Sequence, residues 1–216
     1  MFVVLQKEKV AVGQYYNSDM GNKTIEYYNA NAQGFASSTI TADMFDNCQV
    51  FEALLPHGAY ILDFGCGSGR DTKHFLEQGF IVDAIDGSEQ LCRIASEYSG
   101  VDVKNMLFQD LGETDKYDGI WACSSILHLP KTELKEVFHK VIIALKADGI
   151  IYTSFKYGDF SGERNGRFFT DFTENTFEEF LKGISGIEVE KEWISSDVRP
   201  GREDEKWLNL ILRKTS

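Results

Sequence analysis

The chain has little cysteine, and what it has is scattered. Cys48, Cys66, Cys92 and Cys123 stand alone in 216 residues, with no C-x-x-C spacing. Zinc and redox motifs are thereby unsupported, and each thiol reads as a small buried hydrophobe. No metal-ligand cluster is apparent, so no metal is expected. No apolar run approaches the roughly 20 residues that span a bilayer. Met1 to Val12 opens apolar but brings lysines and Glu8 soon after, which is not the order of a secretory signal. A cytoplasmic location without membrane contact is expected. Basic residues are short against acidic ones, 22 to 34, for a net charge of −12. That field disfavours nonspecific nucleic-acid binding, which works by neutralising phosphates. Neither a repeat nor a low-complexity stretch is visible.

What is present is globular. With 43% hydrophobic and 26% charged residues, the chain has enough apolar surface for one ordinary domain over residues 1–216. Its organising stretch is Ile61-Leu62-Asp63-Phe64-Gly65-Cys66-Gly67-Ser68-Gly69-Arg70-Asp71. An apolar run ends in an acidic residue, three glycines follow at alternate positions, and a helical pattern begins at once. This is the pattern of a parallel strand that turns tightly against a ligand and enters a helix.

The dinucleotide fingerprint is G-x-G-x-x-G, with a pyrophosphate on the helix N-terminus. Here the spacing is G-x-G-x-G, and Asp63 stands two residues before the first glycine. A carboxylate there repels a pyrophosphate but accepts hydrogen bonds from an ammonium group. A cofactor with a cationic amino-acid end and no phosphate fits better than a nicotinamide dinucleotide, and S-adenosylmethionine is such a molecule. About 20 residues on, the strand Phe80 to Ile85 ends in Asp86, the distance at which a carboxylate reaches ribose hydroxyls in a βαβ nucleoside site. Gly87 and Ser88 then open a helix.

This arrangement resembles the class I S-adenosylmethionine-dependent methyltransferases, whose first motif is acidic-x-Gly-x-Gly-x-Gly. Among them the layout is most similar to small-molecule enzymes of the tellurite-resistance and thiopurine type. The resemblance runs from about Tyr28 to Arg213. It implies a Rossmann-like α/β fold: a seven-stranded, mostly parallel sheet, the last strand antiparallel, with helices on both faces. It also implies an N-terminal helical lid over residues 1–56, a cofactor-binding half over 57–155 and a substrate-side half over 156–216. By the same resemblance the cofactor-contact residues are Tyr28, Asp63, Gly65, Cys66, Gly67, Gly69, Asp86, Gly87 and Ser88. Asp110 and Leu111 would hold the adenine, and Ala122, Cys123 and Ser124 the methionine part.

The remaining elements follow from pattern. Thr24 is placed to cap a helix carrying Ile25, Tyr28 and Ala32, and a second helix is expected from about Thr41 to Leu55. Strands are expected at Tyr60 to Phe64, Val103 to Phe108, Tyr117 to Cys123 and Ile150 to Phe155. Helices are expected at Arg70 to Gln78, Thr132 to Leu145 and Thr173 to Lys182. Strands Ile187 to Ile194 and Lys206 to Arg213 have no helix between them, which predicts a hairpin. Lys156 to Thr170 leaves the regular pattern; the resemblance implies a substrate wall there, with Lys156, Arg164 and Arg167 available for an anionic group. By the resemblance, Tyr15 or Tyr16 is a candidate for touching the substrate. His128 and Tyr16 are the candidate catalytic bases.

The expected activity is in-line methyl transfer from S-adenosylmethionine to a small-molecule acceptor, leaving S-adenosylhomocysteine. An RNA or protein methyltransferase, and a non-catalytic cofactor-binding module, are the alternatives. The sequence does not give the acceptor, the use of a base or the oligomeric state, monomer or homodimer.

Overall fold

The computed structural model describes residues 23–215. Tyr15 and Tyr16 lie outside the described residues. A helix over residues 23–39, α1, leads to α2 (Phe45–Glu52). The chain then alternates: β1 (Tyr60–Phe64), α3 (Arg70–Glu77), β2 (Ile81–Asp86), α4 (Glu89–Ser99), β3 (Lys104–Asn105), β4 (Tyr117–Ala122), α5 (Lys131–Ala144) and β5 (Leu145–Lys156). It closes with a small hairpin, β6 (Ser161–Arg164) and β7 (Arg167–Thr170), then α6 (Glu174–Leu181), β8 (Ile187–Ser196) and β9 (Lys206–Lys214).

Seven strands form one sheet in the order β3-β2-β1-β4-β5-β9-β8. Only β9 runs against its neighbours, pairing antiparallel with both β5 and β8. The expected fold is therefore present, with helices on both faces. Side-chain alternation assigns the faces. Leu62, Phe64, Ile120, Ala122 and Ile151 pack with Val137, Phe138 and Val141 of α5 and Phe177 of α6. Ile61, Trp121, Ile150, Tyr152 and Ile211 pack with Cys48 and Phe51 of α2 and Phe75 of α3. Both faces being covered, β1 is an apolar run with no polar alternation. Among the described residues no helix is long and apolar enough to cross a membrane.

Three local expectations are corrected. The stretch read as irregular contains β6 and β7, paired from Ser161↔Thr170 to Arg164↔Arg167. Asn165 and Gly166 both have positive φ, 52° and 76°, which is the type I′ turn that Asn-Gly favours because it matches the twist of paired strands. Thr24 does not cap its helix; it is buried, and its hydroxyl accepts from the Phe168 N–H at 3.1 Å, tying α1 to β7. The third strand is only Lys104–Asn105, and Phe108–Asp110 turns as a short 3₁₀ segment.

Candidate active site

The sheet order places the carboxyl ends of β1, β2, β4 and β5 at one edge, where open α/β sheets hold ligands. A cavity of about 630 Å³ lies there, covered by α1 through Ile25, Tyr28 and Phe35. Asp63, Gly65, Cys66, Gly67, Asp86, Gly87, Ser88, Cys123, Ser124, His128, Lys156 and Arg167 all line it, so most of the expected site residues come together.

The glycine turn owes its shape to the residues around it. Gly65 has φ +87°, and a Cβ there would meet the Ser125 Cβ at 2.5 Å and the Phe108 ring at 2.9 Å. We expect Gly65→Ala to cost roughly 2–4 kcal/mol of unfolding free energy, from left-handed strain plus overpacking. Urea denaturation of the two proteins measures it. Gly69 serves packing instead: its Cβ would lie 2.9 Å from the Ala95 carbonyl oxygen of α4, and it does not line the cavity.

Asp86 holds the turn closed. Its Oδ2 accepts from the Gly67 N–H at 2.9 Å, and its Oδ1 accepts from the Ser88 N–H at 2.8 Å. Burial pushes its carboxyl up, and those two N–H groups oppose the rise. Ser88 caps α4, accepting from the Leu91 N–H, and donates to Asn29 of α1 at 2.7 Å. The covering helix is thus anchored on the Asp86 side of the turn.

Asp63, 2% exposed, accepts from the Thr72 hydroxyl on Oδ2 at 2.6 Å. No described donor reaches its Oδ1. Burial, then the nearby Asp71 carboxylate, push the Asp63 carboxyl up to about 8. Asp71 behaves oppositely. Burial alone would raise it, but the Arg70 fork binds both its oxygens, Nε at 2.6 Å and Nη2 at 2.8 Å, and Trp121 Nε1 donates at 2.8 Å. Together they hold Asp71 below its ordinary value. Of two buried carboxylates near one guanidinium, Asp71 keeps the charge and Asp63 the proton. Sequence reasoning missed the Asp71–Trp121 bond; its signal was a core indole N–H in β4, which needs an acceptor.

The loop after β4 is fixed from two sides. Ser124, with φ +52°, donates its N–H to the Ser154 hydroxyl at 2.9 Å, and the Ser125 hydroxyl donates to the Phe64 carbonyl at 2.6 Å. Ala122 is buried in the sheet and does not reach the cavity. Leu111 likewise belongs to the core, and Asp110 is exposed and outside the lining. Phe108 and Gln109 line the cavity in their place, with Gln109 donating to Glu133 Oε2 at 2.7 Å. The other Glu133 oxygen is buried without a partner among the described residues.

His128 has a defined tautomer. The Phe168 carbonyl can only accept, so Nδ1 carries the proton toward it at 2.7 Å. Nε2 therefore accepts, and the Tyr28 hydroxyl donates to it at 2.8 Å. Arg167 Nη1 in turn donates to the Tyr28 oxygen at 3.2 Å. Burial lowers the His128 imidazole to about 4, so it is neutral at physiological pH. Lys156 lines the cavity, but Asp197 at 3.2 Å and Glu205 both pair with it. Among the described residues no group of three or more His, Cys, Asp or Glu side chains is arranged to hold a metal.

Comparison with known proteins agrees with this architecture. Residues 61–149 match the sequence model of a family described as a methyltransferase domain. The Bacillus subtilis protein YqeM, by name a methyltransferase, is 34% identical over 119 residues, covering 50% of this chain and 48% of its own. The fission-yeast (Schizosaccharomyces pombe) 18S rRNA (guanine-N(7))-methyltransferase bud23 is 28% identical over 105 residues, covering 42% of this chain and 39% of its own. The chain thus spans about half the length, or less, of the curated relatives it matches. Among solved structures, the Burkholderia thailandensis 1,6-didemethyltoxoflavin-N1-methyltransferase superposes with a TM-score of 0.76 at 21% identity, over 93% of this chain and 91% of that one. That structure holds 1,6-didemethyltoxoflavin and S-adenosylhomocysteine. A TehB-like protein from Corynebacterium glutamicum gives a TM-score of 0.64 at 22% identity, over 88% and 98% of the two chains.

Proposed function

We propose that this chain, whose residues 61–149 match a methyltransferase-domain family, is a class I enzyme that transfers a methyl group from S-adenosylmethionine to a small-molecule acceptor. The observation that carries the reading is that Asp63 and Asp86 flank one glycine turn and open on a single cavity. The residues present fit the cofactor. Asp63 Oδ1, with no described donor, receives the methionine ammonium. Asp86 receives the ribose hydroxyls on oxygens already oriented by Gly67 and Ser88. The adenine falls to Phe108 and Gln109 beside Glu133, rather than to the exposed Asp110.

The bound cofactor supplies a sulfonium-activated methyl, so the protein's work is alignment and exclusion of water. Helix α1 closes the cavity, and the Ser124–Ser154 contact fixes the loop beneath the methionine part. His128 Nε2 is the atom able to take a proton, though a neutral imidazole of such low basicity is a weak base. A cavity beneath a covering helix, and the acidic charge of the chain, favour a small acceptor over RNA. The 1,6-didemethyltoxoflavin-N1-methyltransferase, whose fold matches 93% of this chain, supports the same choice.

The activity is tested by incubating the protein with S-adenosylmethionine and libraries of small acceptors and of RNA. Acceptor-dependent formation of S-adenosylhomocysteine with the former is expected, and turnover confined to RNA would contradict the reading. A pH signature accompanies it. Because Asp63 must release its proton to receive an ammonium, affinity for S-adenosylhomocysteine should rise between about pH 5 and about pH 8, by up to about tenfold per unit, then level. Calorimetry in buffers of different ionisation enthalpy should show the released proton; an affinity that is flat over this range would remove Asp63 from the role.

A further inference from the structure

Of the seven arginines in the chain, six are ion-paired: Arg70 with Asp71, Arg93 with Glu89, Arg164 with Asp171, Arg199 with Asp197, Arg202 with Glu205 and Arg213 with Glu190. Arg167 forms no ion pair among the described residues. Yet it lines the cavity of a chain that carries 34 acidic side chains against 22 basic ones. Its only hydrogen bond among them is to the Tyr28 hydroxyl, and its Nε is buried without a partner. A buried guanidinium donor left unmade costs free energy unless a ligand completes it.

The surroundings shape this cation for recognition. The Asn165-Gly166 turn fixes the hairpin and hence the place of Arg167 at the start of β7. The rings of Tyr27 and Phe169 lie 4.6 and 5.2 Å from the guanidinium carbon. Aromatic faces of this kind hold a guanidinium while leaving its planar edge of donors for a ligand. The other cations lining the cavity, Arg70, Lys156, Arg199 and Arg202, are compensated by Asp71, Asp197 and Glu205. Among the described residues the one uncompensated cation of the lining is therefore Arg167, beside Tyr28 and His128, at the end of the cavity toward the hairpin.

We propose that the methyl acceptor carries a planar anionic group, a carboxylate or a deprotonated phenol or azaheterocycle, and that Arg167 binds it. This rests on the methyl-transfer reading above and narrows its substrate class. Arg167 is then a specificity residue that tells a charged acceptor from its neutral isostere, because an uncharged ligand leaves the guanidinium uncompensated.

The test uses the full chain saturated with S-adenosylhomocysteine, with 2-naphthoate and its uncharged isostere 2-naphthamide as probes, titrated by ligand-observed NMR. Naphthoate should bind at least about tenfold more tightly than the amide. Arg167→Gln should reduce that preference below about threefold while changing S-adenosylhomocysteine affinity by less than about threefold, and Arg167→Lys should retain part of the preference. Equal binding of the two probes, binding of neither, or a preference that survives Arg167→Gln would overturn the proposal. So would a tenfold loss of S-adenosylhomocysteine affinity in Arg167→Gln with the probe preference intact, which would assign the guanidinium to the methionine carboxylate. Failure of S-adenosylhomocysteine to bind the unaltered protein would instead remove the methyl-transfer reading itself.

Discussion

Replacing Asp86 with alanine should weaken S-adenosylhomocysteine binding by about a hundredfold or more. Two losses add. In the proposed cofactor site the ribose hydroxyls would lose a charged acceptor, worth about 1.5–3 kcal/mol for such hydrogen bonds. The Gly67 and Ser88 N–H groups also lose the oxygens that fix them, so the turn between β1 and α3 no longer holds its ligand-ready shape. Asp86→Asn, which keeps one acceptor oxygen, should fall between the two. Isothermal titration reads the affinities, and thermal denaturation without ligand shows how much belongs to the fold. A loss below about threefold for Asp86→Ala would detach this residue from the ribose.

The second large effect is structural. Asp71→Ala should destabilise the protein by about 3–5 kcal/mol, because it strands a largely buried Arg70 cation and orphans the Trp121 indole N–H together. In a domain of this size that is a fall in Tm of roughly 6–20 °C. The pH dependence identifies the cause. Asp71 is held below its ordinary value in the folded state. Its stabilisation is therefore complete above the unfolded carboxylate range and is lost as pH falls through the folded value. The gap between wild type and Asp71→Ala, followed by urea denaturation, should narrow in acid. A gap that stays constant into acid would mean that the carboxylate's charge is not what holds Arg70 and Trp121.

What could be read in advance was what local sequence dictates. The β1-turn-α3 unit, the carboxylates at the ends of β1 and β2, and the β8–β9 hairpin each leave a short-range signature of apolar run, glycine spacing and missing helix. Arg164-Asn165-Gly166-Arg167 carried such a signature too, and was missed because its flanking residues are charged and do not alternate as a half-buried strand does. The contacts between Tyr28, His128 and Arg167 span 100 and 139 residues of sequence. No periodicity encodes them; they exist because α1 and β7 meet over the loop after β4. Asp110 failed as a lining residue for a related reason. The strand expected over Val103 to Phe108 is only Lys104–Asn105, a 3₁₀ turn follows at Phe108–Asp110, and it is Gln109 that lines the cavity while Asp110 is exposed.

The account stands on the claim that the glycine turn serves an amino-acid nucleoside and not a dinucleotide. Calorimetric titration of the unaltered protein with S-adenosylhomocysteine, and separately with NAD, tests it most directly. The account predicts S-adenosylhomocysteine binding in the micromolar range and no heat from NAD. Saturable NAD binding with none for S-adenosylhomocysteine would contradict it.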